Sequence, residues 1–144
     1  DEEKKKKEEK DKSMKMSERL NLYKDRQRNN LSENAYGAIV RLRMDNSHPL
    51  GFGYDKEYLS LKLRNRRYAY LESGWNVGTT QDSTSIVSGF VGFKAKQNFR
   101  ESLVFGVEEI GRGSIVYMVD NPLFRGFWYN GKLLFGNAVF LVGN

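Results

Sequence analysis

Cysteine is absent from this 144-residue chain and histidine occurs once, and these two shortages remove a large part of protein chemistry. Without a thiol there is no disulfide, no thiolate metal ligand and no cysteine nucleophile. With His48 alone, a zinc site built from two histidines of the chain is excluded, and a Ser-His-Asp triad could form only through that residue. His48 is followed by Pro49-Leu50-Gly51, which fits neither the HxxE nor the HExxH zinc spacing. Also missing is any apolar run near the roughly 20 residues that a membrane-spanning helix needs, and the first residues are charged where a secretory signal would be apolar. Read alone, the sequence predicts neither a membrane span nor an export signal.

Lys and Arg number 24 against 18 Asp and Glu, a formal net charge of +6. An excess of this sign raises nucleic acid as a partner, because clustered bases release counterions from phosphate. The distribution argues otherwise. Residues 1–12 are all charged, six acidic and six Lys, and cancel. The visible basic patch is Lys62, Arg64, Arg66 and Arg67, read as protective charge on a solvated hairpin or edge strand rather than as a polyanion site. Nucleic acid is accordingly disfavoured.

With no apolar side chain to bury, residues 1–12 are expected to be a charged linker or disordered segment, and residues 13–144 a single α/β domain. Good helix formers with interspersed Leu and Tyr predict a helix over about 17–28, ended by Asn29-Asn30. Beyond Ala35, β-branched and aromatic residues recur in short runs between Gly, Asn, Asp and Ser, which is strand-and-turn spacing. Ala38–Met44, in which apolar and basic side chains alternate from Ile39 or Val40 onward, reads as a half-buried strand. Tyr58–Leu63, Tyr68–Leu71, Ser85–Val91, Ser102–Val107 and Ser114–Val119 are further candidate strands, the last two apolar enough for the centre of a sheet. Leu134, Phe135, Ala138, Val139 and Leu141 repeat at helical spacing and predict a closing helix over Asn130–Val142.

Few residues are candidates for chemistry. His48 directly follows a strand, where α/β sheets keep functional loops, but it equally suits a backbone-bonding role in the Pro49-Leu50-Gly51 turn. Trp75, in Ser73-Gly74-Trp75-Asn76, is read as a loop residue that either stacks on a ligand or caps the core. Arg125 either grips a carboxylate bidentately or pairs with Asp120 across the Pro122 turn, and the pair is favoured. Glu108 and Glu109 are adjacent in an extended run, so they face opposite sides and cannot share a substrate. The glycines of 106–113 precede a strand, whereas a phosphate cradle precedes a helix.

The strings Asn46-Ser47-His48-Pro49-Leu50-Gly51-Phe52-Gly53-Tyr54, Val87-Ser88-Gly89-Phe90-Val91-Gly92, Gly111-Arg112-Gly113, Tyr117-Met118-Val119-Asp120-Asn121-Pro122-Leu123-Phe124-Arg125-Gly126-Phe127-Trp128 and Leu134-Phe135-Gly136-Asn137-Ala138 occur in that order. Together they resemble the C-terminal end of large bacterial secreted zinc carboxypeptidases of the carboxypeptidase A superfamily. The segment concerned follows the catalytic domain and is similar to the class I glutamine amidotransferase-like (flavodoxin-like) fold. The resemblance covers about Ala35–Asn144. It implies an α/β fold, a mixed β-sheet with flanking helices, forming part of that amidotransferase-like fold. It also implies a non-catalytic accessory domain serving stability, docking or substrate presentation, with an upstream catalytic domain of the same polypeptide as its partner. Zinc is implied only in that upstream domain, with no cofactor in this chain, and the implied location is secreted or periplasmic. Active amidotransferases of this kind use a Cys nucleophile, so no catalytic residue carries over to this chain. A fragment of such a sheet would expose an edge through which it could form a homo-oligomer. The competing reading is a stand-alone binding module for a peptide carboxylate or sugar, its pocket built from His48, Trp75 and Arg125.

Overall fold

A computed structural model describes residues 20, 22–81, 85–97 and 99–143. The expected linker 1–12 and the first residues of the expected helix 17–28 lie outside them. The chain divides into two compact units, Asp1–Leu31 and Ser32–Asn144. In the first, a 3₁₀ turn Tyr23–Asp25 leads into helix α1, Arg26–Glu33, whose last two residues are counted with the second, and the Arg26 guanidinium lies 5.1 Å above the Tyr23 ring. The helix therefore runs through Asn29-Asn30 instead of ending there. Asn is only mildly unfavourable inside a helix, and nothing at these positions forces a turn.

The second unit is an antiparallel sheet with helices. Its strands are β1 Ala35–Met44, β2 Glu57–Lys62, β3 Trp75–Thr80, β4 Ile86–Val91, β5 Ser102–Ile110 and β6 Gly113–Met118. The order is β2-β1-β3-β5-β6, and β4 also pairs with β1. The mixed sheet expected from the sequence is thus antiparallel in every described pairing. β3 and β4 share one edge of β1, β3 at Arg43 and Met44 and β4 from Val40 back to Ala35. Two short helices of this unit are α2, Phe93–Gln97, and α3, Asn130–Phe140. Among the described residues, no helix is long and apolar enough to cross a membrane.

β1 follows its sequence pattern: Ala38, Val40, Leu42 and Met44 are buried while Arg41 and Arg43 are exposed. β2 does the reverse. Its inward residues are Tyr58, Ser60 and Lys62, and its leucines face out, Leu59 exposed and Leu61 half-buried. Lys62, read from sequence as part of a solvated basic patch, is 0% exposed. Its Nζ lies 3.1 Å from Asp120 Oδ1, Ser60 Oγ donates to Asp120 Oδ2 at 2.7 Å, and the ammonium stands 5.4 Å from the Phe99 ring centre. A buried carboxylate thus decides which face of β2 turns inward, because without it the ammonium could not leave water.

Other expectations are corrected. Tyr68–Leu71 forms no strand; it lies beside the start of β5, joined by Leu103 N–H to Tyr68 O at 2.9 Å. Leu71 is held by the Asn76 side chain, which accepts its N–H and donates to its C=O. β5 is buried from Ser102 to Val107, as its composition predicts, but β6 ends the sheet and is an edge strand. β3 and α2 were not anticipated, and Trp75 begins β3 instead of lying in a loop. The α3 helix starts at Asn130 as expected and ends two residues short of Val142, at Phe140.

Candidate functional site

His48 closes the loop after β1. Its Nδ1 accepts the Leu50 N–H at 3.0 Å and caps the 3₁₀ turn Pro49–Gly51, whose leading proline has no N–H to satisfy. The turn is tight enough that a Cβ on Gly51 would stand 2.2 Å from the Asp45 carbonyl oxygen. Accepting at Nδ1 puts the proton of the neutral imidazole on Nε2. Burial pushes the imidazole pKa below its ordinary value, against the opposing pull of the Asp45 and Glu109 carboxylates. Asp45 itself accepts the hydroxyl and amide of Ser47, which hold its carboxyl below the usual range.

This loop is fastened to the last helix. Asn137, buried on α3, donates from Nδ2 to Phe52 O at 2.7 Å and to Leu50 O at 3.1 Å. Tyr54 places its hydroxyl between the Asn130 carbonyl, to which it donates, and the Leu134 N–H, from which it accepts at 2.8 Å. These are the two groups that an early i to i+4 link of the helix would join. Burial pushes the Tyr54 phenol pKa up, the Leu134 amide opposing. Near the same helix start, Trp128 Nε1 and Asn130 Nδ2 both donate to Leu59 O, at 3.3 and 3.0 Å.

His48 and Trp75, singled out separately from the sequence, meet: their ring centres are 5.9 Å apart at an interplanar angle of 47°. They line a cleft of about 570 Å³ with Asp45, Glu109 at the end of β5, Arg112 in the β5–β6 turn and the chain after α3. Trp75 is 55% exposed. Glu108 and Glu109 do face opposite sides: Glu108 accepts Tyr117 and Ser73 hydroxyls at 2.7 and 2.8 Å, while Glu109 lines the cleft. The sequence alone gives Arg112 no role; only the β5–β6 hairpin places it here.

Arg125 is not part of this site. It is exposed, adopts a left-handed φ of 49°, and lies 5.2 Å above the Phe124 ring. Nor does it pair with Asp120, which faces inward to Lys62 and Ser60. A carboxylate committed to a buried ammonium has no reason to leave the core for an exposed guanidinium. Among the described residues, no three His, Cys, Asp or Glu side chains group closely enough to hold a metal ion. Comparison with family models, with curated proteins and with solved structures gives no match.

Proposed function

We propose that this chain is a non-catalytic accessory domain of a zinc-carboxypeptidase-like protein, stabilising or docking an upstream catalytic domain of the same polypeptide. The observation that carries the reading is the outward face of α3. Phe135, Val139 and Phe140 are 43%, 54% and 71% exposed, on a helix whose opposite side is fixed to the loop 46–54 by Asn137 and Tyr54. An apolar helix face held rigidly toward solvent suits association better than chemistry. The polar residues of the strings that resemble the carboxypeptidases are consistent with the same reading, since His48, Tyr54, Asp120 and Asn137 are each engaged in framework bonds. On this proposal the antiparallel sheet is one part of an amidotransferase-like domain, zinc belongs to the upstream domain, and the protein is secreted or periplasmic.

The test is to read the coding sequence upstream of Asp1, express what it encodes, and measure that product's melting temperature with and without this chain. The reading expects a zinc-binding catalytic domain whose melting temperature rises when the chain is added, and a smaller rise with Phe140→Asp. A reading frame without such a domain, or no rise at all, contradicts it.

A second reading, a stand-alone binding module, is favoured by the His48–Trp75 contact.

A further inference from the structure

The cleft beside His48 differs from the neighbouring cleft over β2 in how little its polar groups are used. Trp128 and Asn130, which line the neighbouring cleft over β2, both donate to Leu59 O, and the Tyr129 ring there is covered by Lys132 Nζ at 3.9 Å. Glu57 in that cleft pairs with Arg41 at 3.3 Å. Around His48 the situation is reversed. Among the described residues, the side chains of Glu109 and Arg112 make no hydrogen bond or ion pair, and neither do the Trp75 indole N–H or the His48 Nε2. A cleft of about 570 Å³ lies within the range of small-ligand sites.

From this arrangement we infer that the cleft binds a neutral saccharide, with the Trp75 ring as the stacking surface and Glu109, Arg112 and His48 as hydroxyl partners. It develops the binding-module reading of the cleft and stands or falls independently of any upstream catalytic domain. The charge balance selects the ligand class. Among the lining residues Asp45 and Glu109 supply two carboxylates against the single guanidinium of Arg112, with Arg43 acting on Asp45 from outside the cleft, so an anion such as a peptide carboxylate gains no net attraction. A cation would have to approach Arg112. A sugar carries no charge and offers each hydroxyl as both donor and acceptor, matching the donors on Trp75, His48 and Arg112 and the acceptor on Glu109. The apolar face of a pyranose ring covers an exposed indole, removing its apolar surface from water.

The experiment is an NMR titration of the whole chain with cellobiose, maltose and N,N′-diacetylchitobiose as probes, and with an N-acetylated dipeptide and n-butylamine as charged comparators. The inference expects at least one saccharide to shift the Trp75 indole signal and the amides of His48 and Gly111–Gly113 in a saturable way, with neither comparator doing so. Trp75→Ala is expected to abolish the shifts. Should that variant unfold, Glu109→Ala and Arg112→Ala, both at exposed positions, are each expected to weaken binding about tenfold, the loss of one hydrogen bond to a charged group. Silence with all three sugars, shifts that these variants leave unchanged, or binding of the dipeptide or the amine in preference to the sugars would overturn it.

Discussion

The ammonium of Lys62 and the carboxylate of Asp120 lie 3.1 Å apart in the core, 58 residues apart in sequence, with the lysine wholly shielded from solvent. The pair has a third member, Ser60, so both carboxylate oxygens are engaged. Removing either charged partner leaves the other buried and uncompensated. Lys62→Met and Asp120→Ala are each expected to cost about 3–5 kcal/mol in urea unfolding, and the double variant less than their sum. Additive losses would show that the two charges do not interact. Arg125→Ala, at an exposed position outside the pair, is expected to shift stability by no more than about 0.5 kcal/mol.

Tyr58 lies in the core edge-on to Phe105, ring centres 5.3 Å apart, and its buried hydroxyl makes no well-formed hydrogen bond among the described residues, because the nearby Trp128 indole N–H is given to Leu59 O. Deleting an unsatisfied buried hydroxyl removes a desolvation penalty while keeping the ring. Tyr58→Phe is therefore expected to raise stability by about 1 kcal/mol. A clear drop in the urea midpoint would mean that the hydroxyl has a partner in solution.

Two glycines of α3 should respond in opposite directions. A Cβ at Gly131 would stand 1.9 Å from the Pro122 carbonyl oxygen, whereas at Gly136 it would meet nothing within 4 Å. Gly136→Ala is expected to gain about 0.5–1 kcal/mol from helix propensity and a less flexible unfolded chain. Gly131→Ala is expected to lose stability, because backbone must move to admit the methyl group. Melting temperatures of the two variants check both signs.

The capping role of His48 predicts a pH dependence. Its pKa in the folded protein lies below the ordinary 6.5, so between these values the unfolded chain binds the proton more readily. The contribution is fully present above pH 6.5 and is lost as pH falls through 6.5 toward the lower folded value. An asparagine can accept the Leu50 N–H without titrating. His48→Asn is therefore expected to keep the stability seen at neutral pH and to flatten the fall that the parent chain shows just below 6.5, measured as urea midpoints across that range. An unchanged pH profile would assign the fall to other groups.

Where one strand face is apolar and the other basic, as in Ala38–Met44, alternation alone located the element and its buried side. The same rule failed for β2, because what turns Ser60 and Lys62 inward is Asp120, a partner no local window contains. Trp75–Thr80 escaped notice for a related reason. Its Asn, Gly and Thr residues read as a loop, and it becomes a strand by pairing with both β1 and β5. At the site, His48 and Trp75 were legible one by one from residue type and position. Their contact was not, since it depends on that unrecognised strand, and neither was the company of Glu109 and Arg112, which a hairpin brings to the cleft. Arg125 was drawn toward Asp120 by sequence proximity, whereas burial gave Asp120 to Lys62.

On the proposal made above, the chain contributes structure and binding rather than peptide hydrolysis. The most direct test incubates the purified chain with zinc and an N-blocked peptide and follows release of the C-terminal amino acid, with bound zinc counted after dialysis. The expected result is release no faster than in the protein-free control and no zinc retained in proportion to protein. Zinc held one per chain together with amino-acid release, both abolished by His48→Ala in a protein that remains folded, would contradict it.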